Sequence, residues 1–304
     1  MLYQIIVHES VIYVSPYISR VYHCSLVVAL KPVVIVAPTI PRINDALVVR
    51  NATIARGTNC SKEGKKYEMT IFNIAKMCRI IDERGGTNRA FNTQSSTELG
   101  GCNSRNDIEC NFMGNGDVPI EIKKANTPDW MQCSIKYDTI SGKWRGSDKN
   151  KIPDRSKQLF ESLIDAIPIF NGKIPPFISK KVTHIEWLDI KKGTRDYDDM
   201  YLSCPDDTIK RLYSEKGCRY IQISGKGLFH LGEDVCGFDV PEFICSQKLR
   251  VRTKIHSRSD AHGFCSISVT VACQPIDIKK MVPSNYSLDT IETLPSNLMY
   301  IIST

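Results

Sequence analysis

None of the 12 cysteines forms a C-x-x-C pair; they run from Cys24 to Cys273 without framework spacing. That argues against a zinc ribbon or a disulfide scaffold and predicts reduced thiols in an intracellular protein. The most compact zinc-like set, Cys236, Cys245, His262 and Cys265, has one tight step, His262-x-x-Cys265, and no second one. No G-x-x-x-x-G-K-[ST] occurs, so the chain carries no P-loop and no ATPase motif. Long apolar runs are also missing. The stretch Leu26 to Val36 is broken by Lys31 and Pro32 and falls short of the roughly 20 residues a membrane span needs. The amino terminus lacks a basic head, apolar core and small-residue cleavage site. These absences predict no membrane partner. No internal repeat or low-complexity tract is present.

A hydrophobic content of 42% and a charged content of 24% fit a globular protein, and 304 residues suffice for one large domain or two modest ones. The net charge of +7 suits a polyanionic partner without requiring one. The most informative stretch is Asn106 to Lys124. Ile108, Cys110 and Phe112 alternate with Asp107, Glu109 and Asn111; Val118, Ile120 and Ile122 alternate with Glu121 and Lys123. Gly114-Asn115-Gly116 lies between these runs. The pattern predicts a β-hairpin with one apolar face and one face that gathers carboxylates and a lysine. Such a face suits a hard divalent cation beside a phosphate.

Asn106-Asp107, followed after the turn by Glu121-Ile122-Lys123, resembles the active-site motif of the PD-(D/E)XK nuclease superfamily. Asparagine stands where the family has proline, at a position that carries no chemistry. The resemblance implies an α/β fold, a mixed-sheet restriction-endonuclease-like core flanked by helices. It implies Mg²⁺ held by Asp107 and Glu121, with the carbonyl of Ile122 as a further ligand. Lys123 would either orient or deprotonate the attacking water, or offset charge in the transition state. Glu68, near the start of a predicted helix over 65–81, matches a glutamate that relatives carry on the helix before the acidic strand; a solvated first-turn glutamate is the equal alternative. The activity implied is that of a type II restriction endonuclease. It cuts double-stranded DNA to 5′-phosphate and 3′-hydroxyl ends, works as a homodimer and needs a companion DNA methyltransferase. The texture of the chain is similar to the restriction enzymes of large algal viruses, which implies the cytoplasm of an infected host cell. Two other classes remain open: a structure- or damage-directed repair or recombination nuclease, and a non-catalytic DNA-binding protein.

The turn leaves the register of the hairpin open. A reversal centred on Asn115 sets Glu109 opposite Glu121 and Asp107 opposite Lys123. A reversal centred on Gly114, or a bulge, sets Asp107 opposite Glu121. The family pattern favours Asp107 as the metal ligand, with Glu109 its rival. Asp189-Ile190-Lys191 and Asp277-Ile278-Lys279 repeat the acid-x-lysine spelling without a preceding acidic strand and glycine turn, and are read as decoys.

Elsewhere, residues 1–45 read as a peripheral extension, 46–170 as the catalytic core, and 171–304 as a β-rich part concerned with DNA recognition that can share that core. Residues 82–105 read as a loop. Asp154 is expected to cap a helix over 155–167 that buries Leu159, Phe160, Leu163, Ile164 and Ile167 over the sheet face opposite the metal site. From Leu249 to His256, Leu249, Val251, Thr253 and Ile255 alternate with Arg250, Arg252, Lys254 and His256, and Arg258 extends the charge. This predicts a basic strand face that follows phosphates or reads bases, or else is merely solvated. Lys226, in Ser224-Gly225-Lys226-Gly227, is expected to add a basic loop beside it.

Overall fold

A computed structural model describes residues 3–8, 11–16, 59–75, 78–81, 87–88, 106–111, 117–259, 263–290, 293 and 299–302. In chain order the elements are β1 (Tyr3–His8), β2 (Val11–Pro16), helix α1 (59–75), β3 (Cys78–Ile81), β4 (Thr87–Asn88), β5 (Ile108–Asn111), β6 (Asp117–Lys123), β7 (Gln132–Asp138) and β8 (Lys143–Gly146). They continue with α2 (Asp154–Asp165), α3 (His184–Thr194), β9 (Met200–Ser203), α4 (Thr208–Glu215), β10 (Tyr220–Ile223), β11 (Gly227–His230), β12 (Gln247–Ser259), β13 (Cys265–Pro275) and β14 (Met299–Ile302). Met1–Pro41 form one compact unit, which contains the antiparallel β1–β2 hairpin. Arg42–Thr304 form the other, a mixed α/β unit.

Two larger sheets organise that second unit: a four-stranded one ordered β11-β10-β6-β5 and a five-stranded one ordered β8-β7-β13-β12-β9. Each sheet joins strands from both sides of Pro168–Pro176, at the β6–β10 pair in the first and the β7–β13 pair in the second. β3 forms a third, small antiparallel sheet with β4 and β14.

In the four-stranded sheet β6 runs antiparallel to β5 and parallel to β10. A parallel pair needs a long crossover, and here residues 124–219 supply it, including β7 to β9 and three helices. β10, Tyr-Ile-Gln-Ile, is buried at all four positions, as expected for an inner strand covered on both faces. On one face Ile120 and Ile122 join Ile71 and Phe72 of α1. On the other, Ile221 and Ile223 join Ile209, Leu212 and Tyr213 of α4. Each fully buried isoleucine contributes about 1.5–3 kcal/mol, so the two helices clamp this sheet end firmly.

Several expectations change. The helix predicted over 65–81 runs over 59–75 instead, and Cys78–Ile81 is a strand: the β-branched Ile80-Ile81 pairs with β14. Asp154 does not cap α2. Pro153 occupies the cap without a side-chain bond, and Asp154 pairs with Lys157 at 2.9 Å from the first turn. Phe160 and Ile164 are buried as expected, but α2 packs on β8 and α4 rather than behind the hairpin sheet. A two-residue β4 lies within the stretch read as a loop; its remainder falls outside the described residues, as do the turn 112–116 and His262. Cys60, Cys133, Cys204, Cys245 and Cys273 are free thiols.

Candidate active site

Ile108 pairs with Ile120, Glu109 with Pro119, Cys110 with Val118 and Asn111 with Asp117. Continued by one step, this register brings Asp107 level with Glu121, which is the arrangement centred on Gly114. Glu109 lies level with Pro119, two pairs further along the strand. β5 begins at Ile108, so the Ile122 N–H has no strand carbonyl opposite it; the Asp107 carboxylate takes that place and its Oδ2 accepts the bond at 2.8 Å. Asp107 is thereby fixed at the strand's start. The Asn106 side chain holds the bend by donating to the Ile108 carbonyl at 2.9 Å.

Glu121 and Lys123 lie two residues apart on β6 and therefore share a face. Lys123 Nζ sits 2.5 Å from Glu121 Oε1 and 3.4 Å from Asp107 Oδ2. The two carboxylates are almost fully buried and the lysine is 15% exposed. A second ammonium completes the cluster: Lys216 Nζ, from the end of α4, is 2.8 Å from Glu121 Oε2. Both lysines also lie over the ring of Tyr213, each 5.4 Å from its centroid. The thiol of Cys218 approaches Glu121 Oε2 at 3.6 Å.

Glu68 belongs to the same electrostatic group. α1 is tied to the end of β6 by Glu63 and Lys124, 3.1 Å apart. Burial, and then the charges of Asp107 and Glu121 against that of Lys123, push Glu68 up from its ordinary 4.5 to about 7. Its buried Oε2 has no hydrogen-bond partner among the described residues. Burial would raise Glu121 too, but the Lys123 and Lys216 ammonium groups outweigh it and hold Glu121 at about 2. Asp107 goes the other way: burial and the Glu121 charge raise it, and the longer contact to Lys123 offsets them only in part. Burial alone would lower Lys123, yet Asp107 and Glu121 hold it well above its usual value. At neutral pH Lys123 is a cation.

Among the described residues no group of three or more His, Cys, Asp or Glu side chains is arranged to hold a metal ion. Both Glu121 oxygens are engaged by ammonium groups. The donor chemistry nonetheless fits a hard divalent cation. Asp107 and Glu121 offer only oxygen, and the hydrogen bonds that Asp107 makes among the described residues all fall on Oδ2.

The basic strand lies in the other large sheet. Leu249 and Val251 are buried as predicted. Arg250 donates to Asp199 at 2.5 Å and 2.9 Å and reaches Asp129 at 3.3 Å. Arg252 sits 2.9 Å from Asp129, which also accepts from Gln274 at 2.5 Å. Lys254 and His256 are exposed; His256 shares a 3.0 Å hydrogen bond with Ser268. Arg258 lies in β12, its side chain outside the described residues. Lys226 sits in the turn joining β10 to β11, where Nζ donates to the carbonyls of Lys279 and Met281 at 2.8 Å and 2.7 Å. Gly227 closes that turn at φ 93°, where a Cβ would collide with the Tyr286 carbonyl.

Asp189 and Lys191 fall on α3, where two positions differ by about 200° around the axis, so they share no face. Asp277 precedes a short 3₁₀ turn and pairs with Lys280 at 3.0 Å. No protein-family model, curated protein or solved structure matches the chain. No helix among the described residues is long and apolar enough to cross a membrane.

Proposed function

We propose that the chain is a Mg²⁺-dependent endonuclease for double-stranded DNA, a stand-alone cutter of the type II restriction kind and of the PD-(D/E)XK type. The observation that carries this reading is the convergence of Asp107, Glu121 and Lys123 at one buried sheet end, with Glu68, whose Oε2 has no hydrogen-bond partner among the described residues, in electrostatic range. Asp107 and Glu121, with the carbonyl of Ile122, would hold the ion. Bound there, Mg²⁺ polarises the scissile phosphate and makes a water more acidic.

The protein groups divide the remaining work. Lys123, held charged by two carboxylates, offsets the negative charge that grows on the phosphorane, a role for which a base is not needed. Glu68 releases its proton near neutrality and is the group best matched to take one from the attacking water. The helices α1 and α4 exclude bulk water from both faces of the sheet end, which strengthens these interactions. In this reading the products carry 5′-phosphate and 3′-hydroxyl ends. The enzyme acts as an intracellular homodimer beside a protective DNA methyltransferase.

A non-catalytic DNA-binding protein is the second reading, favoured by one observation: two lysines saturate Glu121 and make the cluster a self-sufficient ion-pair network. Single-turnover cleavage of a linear duplex by two variants separates the readings. Asp107→Asn is expected to lose far more rate than Glu109→Gln, because only Asp107 is level with Glu121 and anchored to Ile122. The reverse ranking would transfer the site to Glu109. Full DNA binding without cleavage in Mg²⁺ or Mn²⁺ by the wild type would select the non-catalytic reading, and cutting confined to branched or damaged duplex a repair nuclease.

A further inference from the structure

The catalytic division above gives Lys216 no part, yet its ammonium sits on the carboxylate that a metal ion needs. We propose that Lys216 is a resident counter-cation: it occupies Glu121 Oε2 in the ion-free protein and yields that oxygen when a divalent cation binds. The proposal rests on the metal-dependent reading of the site.

Three observations support the exchange. First, the charges of the ion-paired groups balance without an ion. Asp107 and Glu121 face Lys123 and Lys216, so adding a dication to four groups that are almost buried would leave an uncompensated excess of positive charge, which is costly where water is scarce. One ammonium must give way. Second, the two lysines are not equivalent. Lys123 bridges both carboxylates from a hydrogen-bonded strand, whereas among the described residues Lys216 forms an ion pair with Glu121 only and rides at the C-cap of α4, next to Gly217 at φ 88°. Lys216, with one carboxylate contact to give up where Lys123 has two, is the one that yields. Third, it has somewhere to go. The Tyr213 ring already lies within cation–π distance, and the last carbonyls of α4 attract a cation. Removing the ammonium should therefore leave Glu121 short of a counter-charge that a divalent ion can supply.

The test uses Mn²⁺ as probe and the full chain without DNA. Calorimetric or paramagnetic-resonance titration is run on the wild type, Lys216→Met and Lys216→Arg, with Lys216→Gln as a second neutral variant should the methionine impair folding. The neutral variants are expected to bind Mn²⁺ roughly tenfold tighter or more. They should also melt below the wild type in chelator and recover more than the wild type when Mn²⁺ is added. Lys216→Arg, which keeps the competing charge, should bind no tighter than the wild type. Equal or weaker Mn²⁺ affinity in the neutral variants overturns the proposal. If the wild type nevertheless cuts DNA with Mg²⁺, the nuclease reading survives that failure. If no variant binds Mn²⁺ and the wild type does not cut, both fall.

Discussion

Lys123→Ala is expected to reduce the rate of duplex cleavage by roughly 100- to 1,000-fold while leaving duplex affinity nearly unchanged. The ammonium lies 2.5 Å from Glu121 and 3.4 Å from Asp107, is mostly buried, and is held charged by both. A charge so placed acts mainly on the extra negative charge of the transition state rather than on ground-state binding. Single-turnover rates and filter-binding affinities of the variant check this together. Wild-type turnover would remove Lys123 from the chemistry, whereas equal losses of binding and rate would make it a ground-state phosphate contact. Lys191→Ala and Lys279→Ala serve as controls and should cut normally, because neither lysine shares a strand face with a carboxylate two residues before it.

The largest effect on stability is expected at Asp129, a residue that no motif marks. It is buried, accepts from Arg250 and Gln274 and forms an ion pair with Arg252, all on neighbouring strands of the five-stranded sheet. Asp129→Ala would leave Arg252 without its carboxylate partner and Arg250 with Asp199 alone. Breaking a buried pair from one side costs about 3–5 kcal/mol, because the surviving charge stays uncompensated. Urea unfolding should show a lowered midpoint at unchanged slope. Substituting Arg250 and Arg252 by methionine in the same chain should recover most of the loss, since no charge is then stranded. A variant within experimental error of the wild type would show that water, and not Asp129, satisfies these arginines.

These two sites also mark what could be read from the sequence. The alternation along β5 and β6 placed Asp107, Glu121 and Lys123 on one face correctly, because a period of two is a local property of the backbone. Register was not legible, since it depends on the turn; the pairing of Ile108 with Ile120 decides it for Asp107 over Glu109. Lys216 was invisible for a different reason. It lies 95 positions from Glu121 and meets it only because β10 pairs in parallel with β6 after a crossover that holds most of another sheet. In the sequence, Lys216-Gly217 reads as an ordinary helix ending, where a cation suits the dipole. The basic alternation of β12 was likewise correct as a pattern. Its ion-pair partners Asp199 and Asp129 lie 51 and 121 positions from Arg250, too far for periodicity to reveal that Arg250 and Arg252 are already paired within the fold. α1 began earlier and ended sooner than its apolar stripe suggested, because the stripe ran on into the β-branched residues of β3.

Incubating a linear duplex of defined sequence with the purified protein in Mg²⁺, and in parallel in excess chelator, tests the proposed chemistry most directly. The wild type should yield discrete fragments bearing 5′-phosphate and 3′-hydroxyl ends in Mg²⁺, none in chelator, and cutting should return when the ion is restored. DNA that is bound yet intact in both conditions, or cut equally well in chelator, would contradict a metal-dependent nuclease centred on Asp107, Glu121 and Lys123.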